Sequence, residues 1–167
     1  MKVSMGNIAN ISGASGEYLC GTELLRPVAG KGFMFDPFLL GGKAPTFDYI
    51  VHLLNEKGDR TAAFFFLQVK TTQKEPGTSG GYSINFTATD LERAKSLKAP
   101  FFLCVVDRSV TRSEKIFIKG VDSTRTKGIS RVAAVYDLTD DKVKIDLYDE
   151  VTRLWKAQTF PILTKFI

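Results

Sequence analysis

Phe47–Thr72 reads FDYIVHLL, then NEKGDR, then TAAFFFLQVKTT, and the fold turns on this stretch. Two apolar, β-like runs flank a charged turn from Asn55 to Arg60. Side chains alternate faces along a strand, so Gln68 and Lys70 point one way and Leu67 and Val69 the other. Pairing the two runs across the turn brings Asp48, Gln68 and Lys70 together at one edge of a sheet. A carboxylate, an amide and an ammonium so placed suit a hard metal ion and a phosphate.

Working outward, 167 residues make one domain with a real core and are too few for two comfortable ones. Thirteen phenylalanines, several at β-like spacing, favour a sheet packed against helices, and the net charge of +5 favours anionic partners. Cys20 and Cys104 belong to no CxxC or CxxH pattern and read as buried thiols, which removes zinc and dithiol chemistry. No apolar run reaches the ~18 residues of a membrane span, and MKVSMGNIANISGASG lacks the apolar core of a signal peptide, so a cytoplasmic protein is expected.

In chain order, residues 1–14 are rich in Gly, Ser and Asn and read as a loose segment or a short helix without clear ends, leaving 15–167 as the single domain. GEYLCGTELLR, between Ser15 and Arg26, reads as a helix closed by Pro27, with Glu17, Cys20 and Leu24 on one face. A short strand is expected around Gly32–Phe35, interrupted by Asp36-Pro37. The polar loop Gln73–Gly81 lacks the order of a phosphate-binding P-loop, and reads either as a mobile lip or as plain surface. Tyr82–Phe86 looks like a strand, Thr89 and Glu92 like the capping box of a basic helix ended by Pro100, and Phe101–Asp107 like the most apolar strand; that order suggests a crossover unit. Strands are expected at Lys115–Ile118 and Val132–Tyr136 around a polar loop from Asp122 to Ser130. KVKIDLYD from Lys142 alternates with a period of two and reads as an edge strand, with Asp149 capping a short last helix.

The runs GEYLCGTELLRP, TFDYIVHL and FFFLQVKTT, followed by a loop, a capped helix and FFLCVVD, resemble the PD-(D/E)XK nuclease superfamily. The likeness leans to its small bacterial domains of unknown function, whose last motif is Q-x-K, and covers residues 15–107. It implies a restriction-endonuclease-like α/β core, a mixed β-sheet flanked by helices. Glu17, Asp48, Gln68 and Lys70 match its catalytic positions. The resemblance further implies Mg²⁺ or Mn²⁺ held by Glu17, Asp48 and Gln68, with Lys70 offsetting charge on the scissile phosphate or orienting the attacking water. The chain departs from the commoner pattern at Gln68, where an amide replaces a carboxylate and removes one negative charge, and at Phe47, where a proline is usual. Weaker metal binding, compensated by Glu17, is the expectation at Gln68.

The implied function is a metal-dependent endonuclease acting on DNA in preference to RNA, in repair or in antiviral defence against foreign DNA. With little chain left to read a groove, cutting should be nonspecific or structure-selective. Lys43, Thr72, Lys74, Arg93 and Lys95 are the candidate substrate contacts, with Lys98, Arg125 and Lys127 as further cations. The alternative is a nuclease-fold module of little activity that binds nucleic acid or a partner protein. An enzyme of small-molecule metabolism lacks support, because dinucleotide, nucleophile-elbow and zinc motifs are missing. His52 reads as a core or surface histidine, Tyr18, Tyr49 and Tyr82 as candidates for a substrate wall, and Phe64–Phe66 as core. The apolar stretch TFPILTKFI from Thr159 suits either a homodimer interface or completion of the core.

Overall fold

A computed structural model describes residues 5–40, 46–78, 80–110 and 112–157, with side chains from residue 11 onward. Ten elements follow one another: α1 (Met5–Leu24), β1 (Phe35–Leu39), β2 (Tyr49–Leu54), β3 (Arg60–Thr72), β4 (Gly81–Phe86), α2 (Ala88–Ser96), β5 (Phe101–Asp107), β6 (Lys115–Gly120), β7 (Ile129–Ala133) and α3 (Asp141–Ala157). The main sheet has the order β1-β2-β3-β5-β6, and β4 pairs with β7 in a separate two-stranded sheet. Only β3 and β5 run parallel in the main sheet, so the architecture is α/β with a mixed sheet flanked by helices.

The central hairpin forms as its sequence demands. Asn55 Oδ1 accepts the backbone N–H groups of Lys57 and Asp59, and Gly58 takes a φ of +83°, a conformation that glycine adopts without a Cβ penalty. Tyr49 then pairs with Leu67 and Val51 with Phe65. With β2 on one side and β5 on the other, β3 is the middle strand, so Gln68 and Lys70 lie at the centre of the sheet rather than at its edge.

The alternation along β3 divides the core in two. Phe65, Leu67 and Val69 face α1 and α3, packing with Cys20, Leu24, Phe102 and Leu147. On the opposite face Leu91 and Ala94 of α2 join Tyr82 and Phe86 of β4 over Leu103, Val105 and Phe117. Cys20 and Cys104 are fully buried free thiols with their Sγ atoms 3.5 Å apart, as the sequence led us to expect.

Several local expectations are corrected. The first helix begins at Met5 rather than Ser15, so residues 5–14 belong to it; their small, polar composition hid a helix through which four glycines, Gly6, Gly13, Gly16 and Gly21, run. Asp36 and Pro37 lie inside β1 instead of interrupting a strand, because β1 is an edge strand and a proline there breaks no ladder. The capping box of α2 is Thr87 with Asp90, not Thr89 with Glu92: Thr87 Oγ1 accepts the Asp90 N–H at 3.2 Å and Asp90 Oδ2 accepts the Thr87 N–H at 3.0 Å. The expected crossover exists, but it joins β3 to β5, and the intervening β4 leaves the main sheet to meet β7. β7 spans Ile129–Ala133, ahead of the expected Val132–Tyr136.

The largest correction is KVKIDLYD, which is the start of α3 and not an edge strand. Val143, Ile145 and Leu147 fit a period of two, yet Val143, Leu147, Val151 and Leu154 are the buried apolar residues, and their spacing is helical. Asp149 falls within that helix, and Asp141 supplies its first-turn carboxylate, accepting the Ala29 N–H at 3.1 Å.

Candidate active site at the end of the central strand

Asp48 stands immediately before β2 and is fixed by both halves of its backbone and side chain. Its N–H donates to the Leu67 carbonyl at 2.8 Å, and its Oδ2 accepts the Val69 N–H at 2.6 Å. The carboxylate therefore brackets Gln68. Gln68 is only 8% exposed and its Oε1 is buried without a hydrogen-bond partner. An orphaned amide oxygen costs about 1–3 kcal/mol, which a ligand bringing positive charge or a proton would recover.

Lys70, two residues on, is half-buried on the same face of β3. Its charge favours the ionised form of Asp48 and, from the other side, of Asp90 in the first turn of α2. Glu17 reaches the group from α1. Burial, and next the charge of Asp48, hold the Glu17 carboxyl above its usual range. Burial also raises Asp48, against the opposing pull of the Val69 N–H and Lys70. Burial is thus the first cause at both carboxyls, and each holds its proton more readily than it would in water.

The docking of α1 follows from its small residues. A Cβ on Gly16 would collide with Thr71 Oγ1, and one on Gly21 would lie 2.6 Å from Tyr49 Oη. The same Tyr49 hydroxyl donates to the Glu17 carbonyl at 2.7 Å. Helix and sheet thus approach closely enough for the charge of Asp48 to act on Glu17.

Asp48, Gln68 and Lys70 are therefore brought together on β2 and β3, Glu17 on α1 is tied to them only through the charge of Asp48, and the proposed substrate contacts divide. Thr72 ends β3 with its Oγ1 accepting the Lys74 N–H at 3.0 Å, and Lys74 is exposed just beyond. Arg93 and Lys95 lie on α2 and pair within it, Arg93 with Asp90 at 3.9 Å and Lys95 with Glu92 at 3.2 Å. Lys43 lies outside the described residues. Of the tyrosines, Tyr49 and Tyr82 are core and only Tyr18 is open to solvent. His52 lies four residues along β2 from Asp48, packed on Phe64, and does not join the cluster. The loop after β3 is exposed and closed by the Gly77 N–H on the Gly81 carbonyl at 2.9 Å.

Two neighbours escaped the sequence reading. Asp90 is the capping acid of α2, and the charge of Lys70 favours its ionised form; correct placement of the capping box would have marked it. Asp107 ends β5 opposite Thr72 in the parallel register. Burial pushes its carboxyl up, but the Tyr82 hydroxyl at 2.6 Å and the Ser109 N–H at 2.8 Å outweigh that and hold it low. Its position as the one charge closing the FFLCVVD run was the available signal.

Among the described residues no three His, Cys, Asp or Glu side chains form a metal-binding group, so the cluster is two carboxylates and an amide. Comparison with known proteins finds no family model, curated protein or solved structure that matches the chain. No helix among the described residues is long and apolar enough to cross a membrane.

Proposed function

We propose that this chain is a metal-dependent nuclease that hydrolyses phosphodiester bonds of nucleic acid, DNA in preference to RNA, with a restriction-endonuclease-like core. The observation that carries the reading is the buried, unpartnered Oε1 of Gln68 beside Asp48, with Lys70 on the same strand face. The order helix, three antiparallel strands, a strand that leaves the main sheet, helix and a strand parallel to the third supports the core assignment.

Glu17, Asp48 and Gln68 fit Mg²⁺ or Mn²⁺: all offer oxygen, two carry charge, and the third is an acceptor without a donor. When bound, the cation supplies charge neutralisation and Lewis acidity at the phosphate. The remaining functions belong to the chain. The Val69 N–H pins one oxygen of Asp48 and so fixes the direction of the other. Lys70 holds an ammonium where it offsets charge on the phosphate or orients the attacking water. Gln68 contributes an acceptor without adding a third negative charge to two carboxylates already raised by burial. Repair or defence against foreign DNA is the biological setting we attach to this reading.

A cleavage time course on single- and double-stranded DNA and RNA, with Mg²⁺ or Mn²⁺ and with EDTA, tests it. Wild type should cut only with metal, and Lys70→Ala and Asp48→Ala should each lose about 10²-fold or more. Equal cutting by wild type and both variants would remove the assigned site. A chain that binds nucleic acid without cutting any substrate is instead the binding module.

A further inference from the structure

α2 and the β4–β7 pair cover the β5–β6 half of one sheet face, with Phe66 and Phe47 at the margin of that cluster. Among the described residues the β1–β2–β3 half carries no such layer beyond Trp155 on Phe64: Phe38, Ile50, His52 and Phe64 belong to neither core cluster, and Phe38 is 55% exposed. Solvent-facing positions of antiparallel strands are ordinarily polar. Here Phe38 is exposed and Ile50 and Phe64 are half-buried, an aromatic and aliphatic face that marks an interaction surface.

The register aligns this surface with the active-site cluster. Phe38 pairs with Ile50 and Ile50 with Phe66, so these three form one row across the sheet. The next row holds Asp48 and Gln68, two residues further along, a separation of ~7 Å. The rings are braced: Phe66 lies 4.5 Å from Phe47 and 5.6 Å from Phe64, and Phe64 lies 4.8 Å from Trp155. A pre-ordered aromatic surface that gives way to an amide and a lysine matches a chain of flat bases joined by phosphates. A purely apolar partner would leave Lys70 and the carboxylates unanswered.

We propose that this face binds unpaired nucleobases, making single-stranded nucleic acid the preferred substrate. The inference rests on the nuclease reading only for where the phosphate sits. Bases stacked over Phe38 and Phe66 would place the adjoining backbone at Asp48, Gln68 and Lys70. Duplex bases, already stacked and paired, cannot use the surface in this way.

The test is binding by the full-length chain in EDTA, where cleavage is off, followed by anisotropy and by emission of its one tryptophan, Trp155. The probes are a short oligothymidine, an abasic strand with as many phosphates, and a duplex of equal length. Oligothymidine should bind best and change the Trp155 emission. Phe38→Ala, an exposed position whose loss should leave the melting temperature near wild type, should weaken oligothymidine about tenfold and leave the abasic strand unchanged. Equal binding of abasic and base-bearing strands, or no effect of Phe38→Ala, would overturn the proposal. So would a dimer in sedimentation that Phe38→Ala splits, or dye binding to this face that appears only after Phe166→Ala, since these assign the face to a second copy or to residues 158–167. Base-dependent binding without metal-dependent cleavage keeps the platform and removes the nuclease. Cleavage with base-independent binding does the reverse.

Discussion

At the residue scale, the cluster is defined by what its groups lack. Gln68 carries an acceptor without a donor, and Glu17 and Asp48 carry protons more readily than ordinary carboxyls. For Glu17 the folded pKa exceeds the unfolded one, so its contribution to stability is full below the ordinary glutamate range and is lost as pH rises through the raised value. The charged carboxylate therefore opposes folding at neutral pH. Glu17→Gln should melt above wild type at pH 7 in EDTA, and the two curves should merge at about pH 3, below the ordinary glutamate range, where both side chains are neutral. Added Mg²⁺ should raise wild type more than the variant. A gain that persists unchanged to low pH would point to packing instead of charge. Asp48, Gln68 and Lys70 were legible from strand parity alone. Asp90 was not, because its approach to Lys70 depends on where α2 lands.

At the element scale, α1 is held by close approach and by one buried ion pair. Gly16→Ala should cost about 1–3 kcal/mol through overpacking on Thr71, and should slow cleavage by moving Glu17. Thr71→Ala, which removes the colliding hydroxyl, should restore most of the loss in urea titrations. At the other end of the helix Lys144 of α3, 1% exposed, lies 2.6 Å from Glu23. Removing one partner of a buried pair typically costs ~3–5 kcal/mol, and Arg26, 3.3 Å from the same carboxylate, keeps this case near the lower end. Lys144→Ala should thus lose about 3 kcal/mol by denaturant midpoint, and Lys144→Met with Glu23→Leu should regain most of it. This pair was not legible beforehand, since Lys144 sat in a segment whose alternation imitated a strand. In β3, by contrast, the reading failed only in part: Phe65 is core as expected, but Phe64 and Phe66 lie half-buried on the opposite face.

At the scale of the whole molecule, the proposed function together with a net charge of +5 predicts a salt-dependent affinity for nucleic acid. A contact with about three or four phosphates of a single strand implies a slope of log K against log salt of roughly −2 to −3. Lys70→Ala should reduce that slope by about 0.7, whereas Phe38→Ala should leave it unchanged and lower affinity at every salt concentration. Parallel lines for wild type and Lys70→Ala would remove Lys70 from the phosphate path. The measurement separates charge, which acts along the backbone, from stacking, which acts on the bases.

The sequence by itself determined the central hairpin, the strand parity that aligns Gln68 with Lys70, the buried thiols and the apolar strand β5. Each depends on local periodicity or on turn chemistry within a few residues. Only the tertiary structure decided that β3 is the middle strand, that β4 leaves the sheet for β7, that residues 142–149 are helical, and that the charge of Lys70 acts on Asp90. Those outcomes turn on which surfaces meet across long stretches of chain. A short window with both periodicities open is resolved only by the surface against which it packs.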